Sequence, residues 1–267
     1  MLPRTYLFVP GDRPERFAKA LASGADAVVL DLEDAVLPHA KPAARQAVER
    51  FLDNADLPHE RIVLRINDAA TPWFAEDMAV LGLRGVRAVM LPKAERPEVI
   101  ALIHDLCPWT LVLPLVESAK GVLAAQALAA APGVQRLVFG TVDFALDLDL
   151  SGDPLGLDHA ASCLALASRA GGFESPVAGV TTAIADEALL LADLARARAH
   201  GLGAKLCIHP RQVAPIHTAL APPAAELLWA QRVLHAAAGS SGAVQLDGRM
   251  IDKPVIERAR RTVARAA

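Results

Sequence analysis

Glu117 and Asp143 stand 26 residues apart, and each follows closely on a short apolar run, Leu111 to Val116 and Leu137 to Phe139. One strand-plus-helix unit between them sets the two carboxylates on neighbouring strands. Close together without a partner they repel, so they either share a proton or bind a cation. Hard oxygen donors with positions left for water suit Mg2+ better than zinc, which prefers His and Cys. The other reading of Glu117 is a helix N-terminal acid for the segment that starts at Ser118, favoured there by the helix dipole. Arg65 ends a second kind of run, Ile62-Val63-Leu64-Arg65-Ile66-Asn67. A guanidinium in such a setting needs an anion, and its planar fork suits a carboxylate: Asp31 or Glu33 as a structural ion pair, or the acid group of a substrate.

Further charges gather at the ends of the apolar runs. Asp31-Leu32-Glu33-Asp34 is an acidic cluster expected to lie near Arg4, Arg65 and Lys93 as a salt-bridge network. Lys93, in Leu91-Pro92-Lys93-Ala94-Glu95, invites comparison with a Schiff-base lysine, but the surrounding acids keep its pKa high and hinder that role. His209, held before Pro210, reads as an orienting group, with a base or ligand as the alternative. Any one of these residues is explained as a solvated strand end; ten of them together, with Asn67, Glu95 and Asp143, are not.

The elements that must carry these residues alternate along the chain. Apolar runs of strand type, each stopping at a polar or turn-forming cluster, occur at residues 6–9, 27–30, 62–66, 88–91, 111–116, 137–139, 176–180 and 205–208. Stretches with helical spacing lie between them, including residues 15–22, 41–52, 73–83, 119–130 and 186–199. Eight runs with a mean repeat of about 28 residues predict an α/β fold, a (β/α)8 TIM barrel, in which the loops after the strands gather at one rim. A doubly wound open sheet is the alternative, and no Gly-rich dinucleotide loop follows the first run to support it. The barrel is expected over 1–221. Residues 222–267 form a C-terminal helical extension, with a helix over 224–238, a turn at Gly239 to Gly242 and a basic helix from Pro254, expected to pack on a neighbouring subunit.

Bulk properties narrow the function. With 53% hydrophobic and 21% charged residues, the chain of 267 can bury a large core. Twenty-seven basic and 30 acidic side chains, well mixed, leave no basic stripe for nucleic acid. No apolar run approaches membrane-spanning length and no signal-peptide core is present. Cys107, Cys163 and Cys207 are scattered in apolar segments, which fits a reducing cytoplasm.

Six ordered motifs, Leu7-Phe8-Val9-Pro10-Gly11, Asp31-Leu32-Glu33-Asp34, Leu64-Arg65-Ile66-Asn67, Leu91-Pro92-Lys93-Ala94-Glu95, Val116-Glu117-Ser118-Ala119-Lys120-Gly121 and Cys207-Ile208-His209-Pro210, together with residues 246–254, resemble the citrate lyase beta subunit family of the HpcH/HpaI aldolase superfamily. The resemblance implies a Mg2+-dependent lyase that cleaves a 3-hydroxyacyl-CoA of the citryl-, malyl- or citramalyl-CoA type to a 2-oxo acid, such as oxaloacetate, and an acyl-CoA. By the same resemblance Glu117 and Asp143 hold the metal and Arg65 grips the oxo acid. Asp252 reaches a neighbouring subunit's site as an acid/base group, and Phe8 and Lys19 lie near the CoA thioester and phosphates. Ile208 and His209 complete the substrate-binding set. A homotrimer or hexamer is implied, and the chain length favours a stand-alone enzyme over a member of a three-subunit complex. A metal-dependent aldolase acting on free 2-oxo acids and a non-catalytic subunit of a lyase complex are the rival readings.

Overall fold

The computed structural model describes residues 2–54, 56–84, 86–238 and 244–266. Eight parallel strands close on themselves: β1 (Thr5–Pro10), β2 (Ala27–Asp31), β3 (Ile62–Arg65), β4 (Ala88–Leu91), β5 (Leu111–Val116), β6 (Val138–Phe139), β7 (Val177–Ala178) and β8 (Ala204–Cys207). Each pairs with the next, and β1 returns to β8 with Thr5 opposite Lys205 and Leu7 opposite Cys207. The closed (β/α)8 barrel predicted from the strand count is the fold, and the open sheet is excluded. The helices are α1 (Phe17–Leu21), α2 (Lys41–Leu52), α3 (Phe74–Arg84), α4 (Pro97–Leu106), α5 (Ala119–Leu123), α6 (Ala125–Ala129), α7 (Thr141–Asp147), α8 (Asp158–Ala170), α9 (Glu187–Ala199) and α10 (Val213–Leu220).

Differences from the sequence reading have local causes. Pro14 opens a 3-10 turn over Pro14–Arg16, so α1 starts only at Phe17. The run at 176–180 pairs only through Val177 and Ala178; Pro176, which has no N–H for the ladder, precedes the strand and offers only its carbonyl, to Gly203 N at 3.0 Å. The stretch 119–130 is divided at Ala124, for which the local contacts give no reason. Helices α4, α7, α8 and α10 were not singled out from the sequence.

Side chains alternate across each strand. The inner layer of the barrel holds Tyr6, Val29, Val63, Met90, Leu115, Val138, Val177 and Leu206, all buried. Burying each of the larger ones contributes about 1.5–3 kcal/mol. Two residues further along, the same inward register reaches Phe8, Asp31, Arg65, Pro92, Glu117, Gly140, Gly179 and Ile208 at the C-terminal ends of the strands. The pattern that fills the core thus delivers the charged residues to the mouth.

Contacts divide the chain into two compact units, Met1–Ile216 and His217–Ala267. The second is built from α11 (Ala224–Ala238), a hairpin of β9 (Val244–Leu246) and β10 (Arg249–Ile251), and α12 (Lys253–Ala266). Its core is Ala230, Val233, Ile251 and Ala259, with Trp229, Val255 and Val263 against them. Asp247 and Gly248 turn the hairpin with φ of 51° and 74°, as an Asp-Gly pair favours. That dipeptide was the signal for a hairpin the sequence reading did not draw. The turn expected at Gly239 to Gly242 lies outside the described residues. Among the described residues no helix is long and apolar enough to cross a membrane.

Candidate active site at the barrel mouth

Arg65 is the centre of the mouth. Asp31 and Arg65 are register partners on β2 and β3, which brings their side chains into a bidentate pair: Nε donates to Asp31 Oδ1 at 2.7 Å and Nη2 to Oδ2 at 2.6 Å. Nη1 faces Glu33 Oε2 at 2.6 Å. The ring of Phe8 lies 4.9 Å from the guanidinium carbon, an arrangement with cation–π attraction. Burial opposes the charge, but Asp31, then Glu33 and Glu117, hold the guanidinium protonated and raise its pKa. The structural ion pair anticipated for Arg65 is therefore present. Of its five N–H donors, two form the hydrogen bonds to Asp31, and Nη1 meets Glu33 as an ion pair without a hydrogen bond to Oε2 among the described residues.

Glu117 is buried beside it (4% exposed). Its Oε1 accepts a hydrogen bond from the Lys93 backbone N–H at 2.7 Å. Lys93 adopts a φ of 45°, a left-handed conformation that costs a β-carbon-bearing residue about 1–2 kcal/mol. Glu117 does not act as the first acid of a helix. That place is taken by Ser118, whose Oγ accepts from Gly121 N at 3.2 Å to cap α5. Directly after the next strand, Gly140 leaves room for the carboxylate, since a β-carbon there would lie 2.5 Å from Glu117 Oε2. Gly140 was not singled out from the sequence, although its place directly after a strand end was the signal.

Asp143 stands in the first turn of α7, half-buried. Burial first, then the charges of Glu33 and Asp143, push the Glu117 carboxyl up to about 8, against the opposing Lys93 N–H and Arg65. Burial likewise raises Glu33 to about 7, with Arg65 opposing and Asp34 and Asp31 adding to it. For Lys93 burial acts downward, but Glu33, Asp34 and Glu117 outweigh it and the pKa is raised, as the acid-rich surroundings led us to expect. Its Nζ lies 3.8 Å from Glu33 Oε1.

The turn that carries Glu33 is gripped from behind. Lys41, 4% exposed, donates from Nζ to the carbonyl oxygens of Leu32 at 2.8 Å and Glu33 at 3.0 Å. Asn67 Nδ2 donates to Leu32 O at 3.0 Å and to Asp77 Oδ2 at 2.6 Å, and Arg45 donates to Asp77 Oδ1 at 3.1 Å. Asn67 is thus a structural member of the rim. Lys41 escaped the sequence reading, although it falls at helical spacing with buried Ala44 and Val48.

Other expected site residues lie differently. Arg4 is not near the acidic cluster: it precedes β1, about 16–20 Å of extended chain from the rim, and its backbone N–H and guanidinium meet Asp26 at 2.7 and 3.8 Å. Lys19 is exposed on α1, and Ile208 is 36% exposed at the end of β8. His209 accepts a hydrogen bond from Arg211 N at 3.1 Å, a local cap in keeping with an orienting group. Glu95 accepts from Ser118 Oγ at 2.7 Å. Asp252 belongs to the second unit, where its Oδ1 accepts from Val255 N at 3.2 Å at the head of α12.

A divalent cation fits this mouth on chemical grounds. Among the described residues no group of three or more His, Cys, Asp or Glu side chains is arranged to hold a metal. Mg2+ needs no such cage, since it is typically held by one or two carboxylates and keeps waters or substrate oxygens in its other positions. The buried Glu117 carboxylate, given room by Gly140, and the half-buried Asp143 at the head of α7 match that requirement.

Comparison with known proteins agrees with the architecture. Residues 4–210 match the family model for HpcH/HpaI aldolase/citrate lyase, and residues 164–267 that for C-C bond lyases of the TIM-barrel fold. A citrate lyase subunit beta-like protein of Mycobacterium tuberculosis is 38% identical over 98% of this chain and 94% of its own length. A (3S)-malyl-CoA thioesterase of Cereibacter sphaeroides is 32% identical over 98% of this chain and 94% of its own. The structure of CitE from M. tuberculosis in complex with magnesium, acetoacetate and coenzyme A superposes with a TM-score of 0.85 at 36% identity, covering 98% of this chain and 97% of that one. A second structure, of the citrate lyase beta subunit with oxaloacetate and magnesium, gives 0.73 at 36% identity, covering 82% and 97%. The chain belongs to the HpcH/HpaI aldolase/citrate lyase family.

Proposed function

We propose that this protein is a Mg2+-dependent carbon–carbon lyase that cleaves a 3-hydroxyacyl-CoA to a 2-oxo acid and an acyl-CoA. Glu117 and Asp143 hold the cation, in an assembly of identical subunits. The observation that carries the reading is the buried Glu117 carboxylate, 4% exposed, with Oε1 held by the Lys93 N–H at 2.7 Å and room kept at Oε2 by Gly140, in the charge cluster around Arg65. It is an acid placed where a cation relieves it and where a guanidinium has donors to spare. The magnesium and small-acid complexes of the M. tuberculosis relatives support the choice of ion and substrate class.

In the cleavage, Asp252 of a neighbouring copy accepts the β-hydroxyl proton, which it later returns to the enolate carbon, the carbon–carbon bond breaks to leave the carbonyl of the 2-oxo acid, and the electron pair passes to the thioester enolate. Mg2+, when bound, supplies positive charge to the oxygen of the forming carbonyl. Arg65 orients the substrate carboxylate with the Nη1 and Nη2 donors not bonded to Asp31, while Asp31 and Glu33 fix the plane of its fork. Phe8 closes the other side of the guanidinium against water. Asp252 of a neighbouring copy protonates the enolate carbon. Lys19, Ile208 and His209 line the path of the CoA arm and acyl group.

Incubation of the Mg2+-loaded protein with malyl-, citramalyl- and citryl-CoA, followed by mass spectrometry, is expected to yield a 2-oxo acid together with a shortened acyl-CoA. Turnover confined to free 2-oxo acids would remove CoA from the reading. The malyl-CoA thioesterase relatives favour one second reading, hydrolysis of the C–S bond. Free hydroxy acid and free CoA thiol as the sole products establish it in place of the lyase.

Mg2+ binding is expected to expel a proton. At pH 7 a Glu117 carboxyl near 8 is largely protonated, so the cation displaces about one proton, measurable as a buffer-dependent calorimetric heat. Since the folded value exceeds the ordinary 4.5, this group contributes stability that is full below about 4.5 and lost as pH rises through about 8. The metal-free protein should therefore lose thermal stability between pH 5 and pH 9, and Mg2+ should restore more of it at the alkaline end. A Mg2+ affinity independent of pH over this range contradicts the assignment.

A further inference from the structure

Lys205 is buried (2% exposed) on the face of β8 turned away from the barrel interior, since its neighbours Ala204 and Leu206 belong to the inner layer. The chemistry at the mouth does not use it. Its Nζ donates to the Gly179 carbonyl oxygen at 2.6 Å, and among the described residues it forms no ion pair with a carboxylate. Burial pulls its pKa down to about 8, with Asp193 opposing. A cation withdrawn from water without a close counter-ion is costly, so the carbonyl it grips matters.

Gly179 directly follows β7 and touches the start of the helix that carries Asp143. A β-carbon at Gly179 would lie 2.7 Å from Thr141 Cγ2 and nearer still to Thr141 Oγ1. Thr141 is the first residue of α7 and Asp143 the third. The loop after Gly179 is pinned as well. Thr181 O accepts from Gln212 Nε2 at 2.8 Å, and Thr181 Oγ1 donates to Asp193 Oδ2 at 2.6 Å. A small cavity of about 90 Å3, lined by Thr141, Gly179, Asp193 and Lys205 among others, lies beside this contact. Thr141 thus borders open space as well as the Gly179 backbone it closely approaches.

We infer that Lys205 is a positioning residue for Asp143: by holding the Gly179 carbonyl it fixes the backbone against which Thr141, and with it the first turn of α7, is seated. This rests on the reading that Asp143 is a cation ligand.

The test is Mg2+ affinity, measured by calorimetry without acyl-CoA, for the wild-type protein, Lys205→Met, Gly179→Ala, Gly179→Ala with Thr141→Gly, and Asp143→Asn. Lys205→Met is expected to weaken Mg2+ binding about tenfold, the lower end of what loss of an outer-shell support costs, without lowering the melting temperature of the metal-free protein. Gly179→Ala should weaken it similarly by pushing Thr141 away, and Thr141→Gly in that background should recover it. If Lys205→Met binds Mg2+ within about twofold of wild type while Asp143→Asn does not, the inference is overturned and the metal site stands. Should Asp143→Asn bind Mg2+ normally, the site assignment fails first and takes the inference with it. If Lys205→Met does not fold, the glycine pair decides: undiminished affinity in Gly179→Ala overturns the inference.

Discussion

Replacing Asp252 by alanine is expected to leave Mg2+ binding unchanged and to lower kcat about 100- to 10,000-fold, the usual contribution of a general acid or base. Asp252 is exposed at the head of α12, with Oδ1 engaged by Val255 N and Oδ2 available to a neighbouring copy. If the site is shared between subunits, mixing Asp252→Ala with Glu117→Gln should restore activity that neither variant has alone. One assembled site then draws its cation ligand from the first variant and its acid from the second. A mixture as inactive as its components places the acid within one subunit. A weakened Mg2+ affinity in Asp252→Ala would mean that this aspartate acts on the ion and not on the enolate.

Arg65→Met is the second large effect, and it reads stability as well as turnover. The substitution leaves Asp31, 1% exposed, and Glu33, 5% exposed, without the guanidinium that neutralises them. Breaking a buried pair by removing one partner costs about 3–5 kcal/mol. Denaturant unfolding of the metal-free protein should show that loss at pH 8. The deficit should shrink toward pH 5, where Glu33, raised to about 7, accepts a proton and no longer needs a counter-charge. Adding Asp31→Asn and Glu33→Gln to Arg65→Met should recover part of the stability while activity stays lost. A cost below about 1 kcal/mol would mark the cluster as solvated and weakly coupled.

Much of this was legible in the residues because one rule serves both core and mouth. The alternation that buries Val29, Val63 and Leu115 also points Asp31, Arg65 and Glu117 inward at the strand ends, so runs of apolar residues ending in charges disclosed both the barrel and its rim. Orientation beyond the strand was not legible. Whether Glu117 capped α5 or faced the barrel depended on which of Glu117 and Ser118 turned back to the helix, and the Ser118 hydroxyl does. Arg4 looked like a neighbour of the acidic cluster only because the motif order ignores the length of β1, which separates it from the rim. The supports behind the site, Lys41 under the Glu33 turn, Gly140 beside Glu117 and Lys205 against Gly179, act through backbone carbonyls or through the absence of a side chain. Such contacts leave no spacing signature, because any residue has a carbonyl to offer.

The most direct measurement is the anomalous scattering of Mn2+ substituted for Mg2+ in crystals grown with a 2-oxo acid. A single strong peak within about 2.0–2.3 Å of carboxylate oxygens of both Glu117 and Asp143 is the expected result, with the remaining positions filled by water and the acid's oxygens. A peak bound elsewhere, or a mouth in which these two carboxylates hold no ion at saturating Mn2+, contradicts the account.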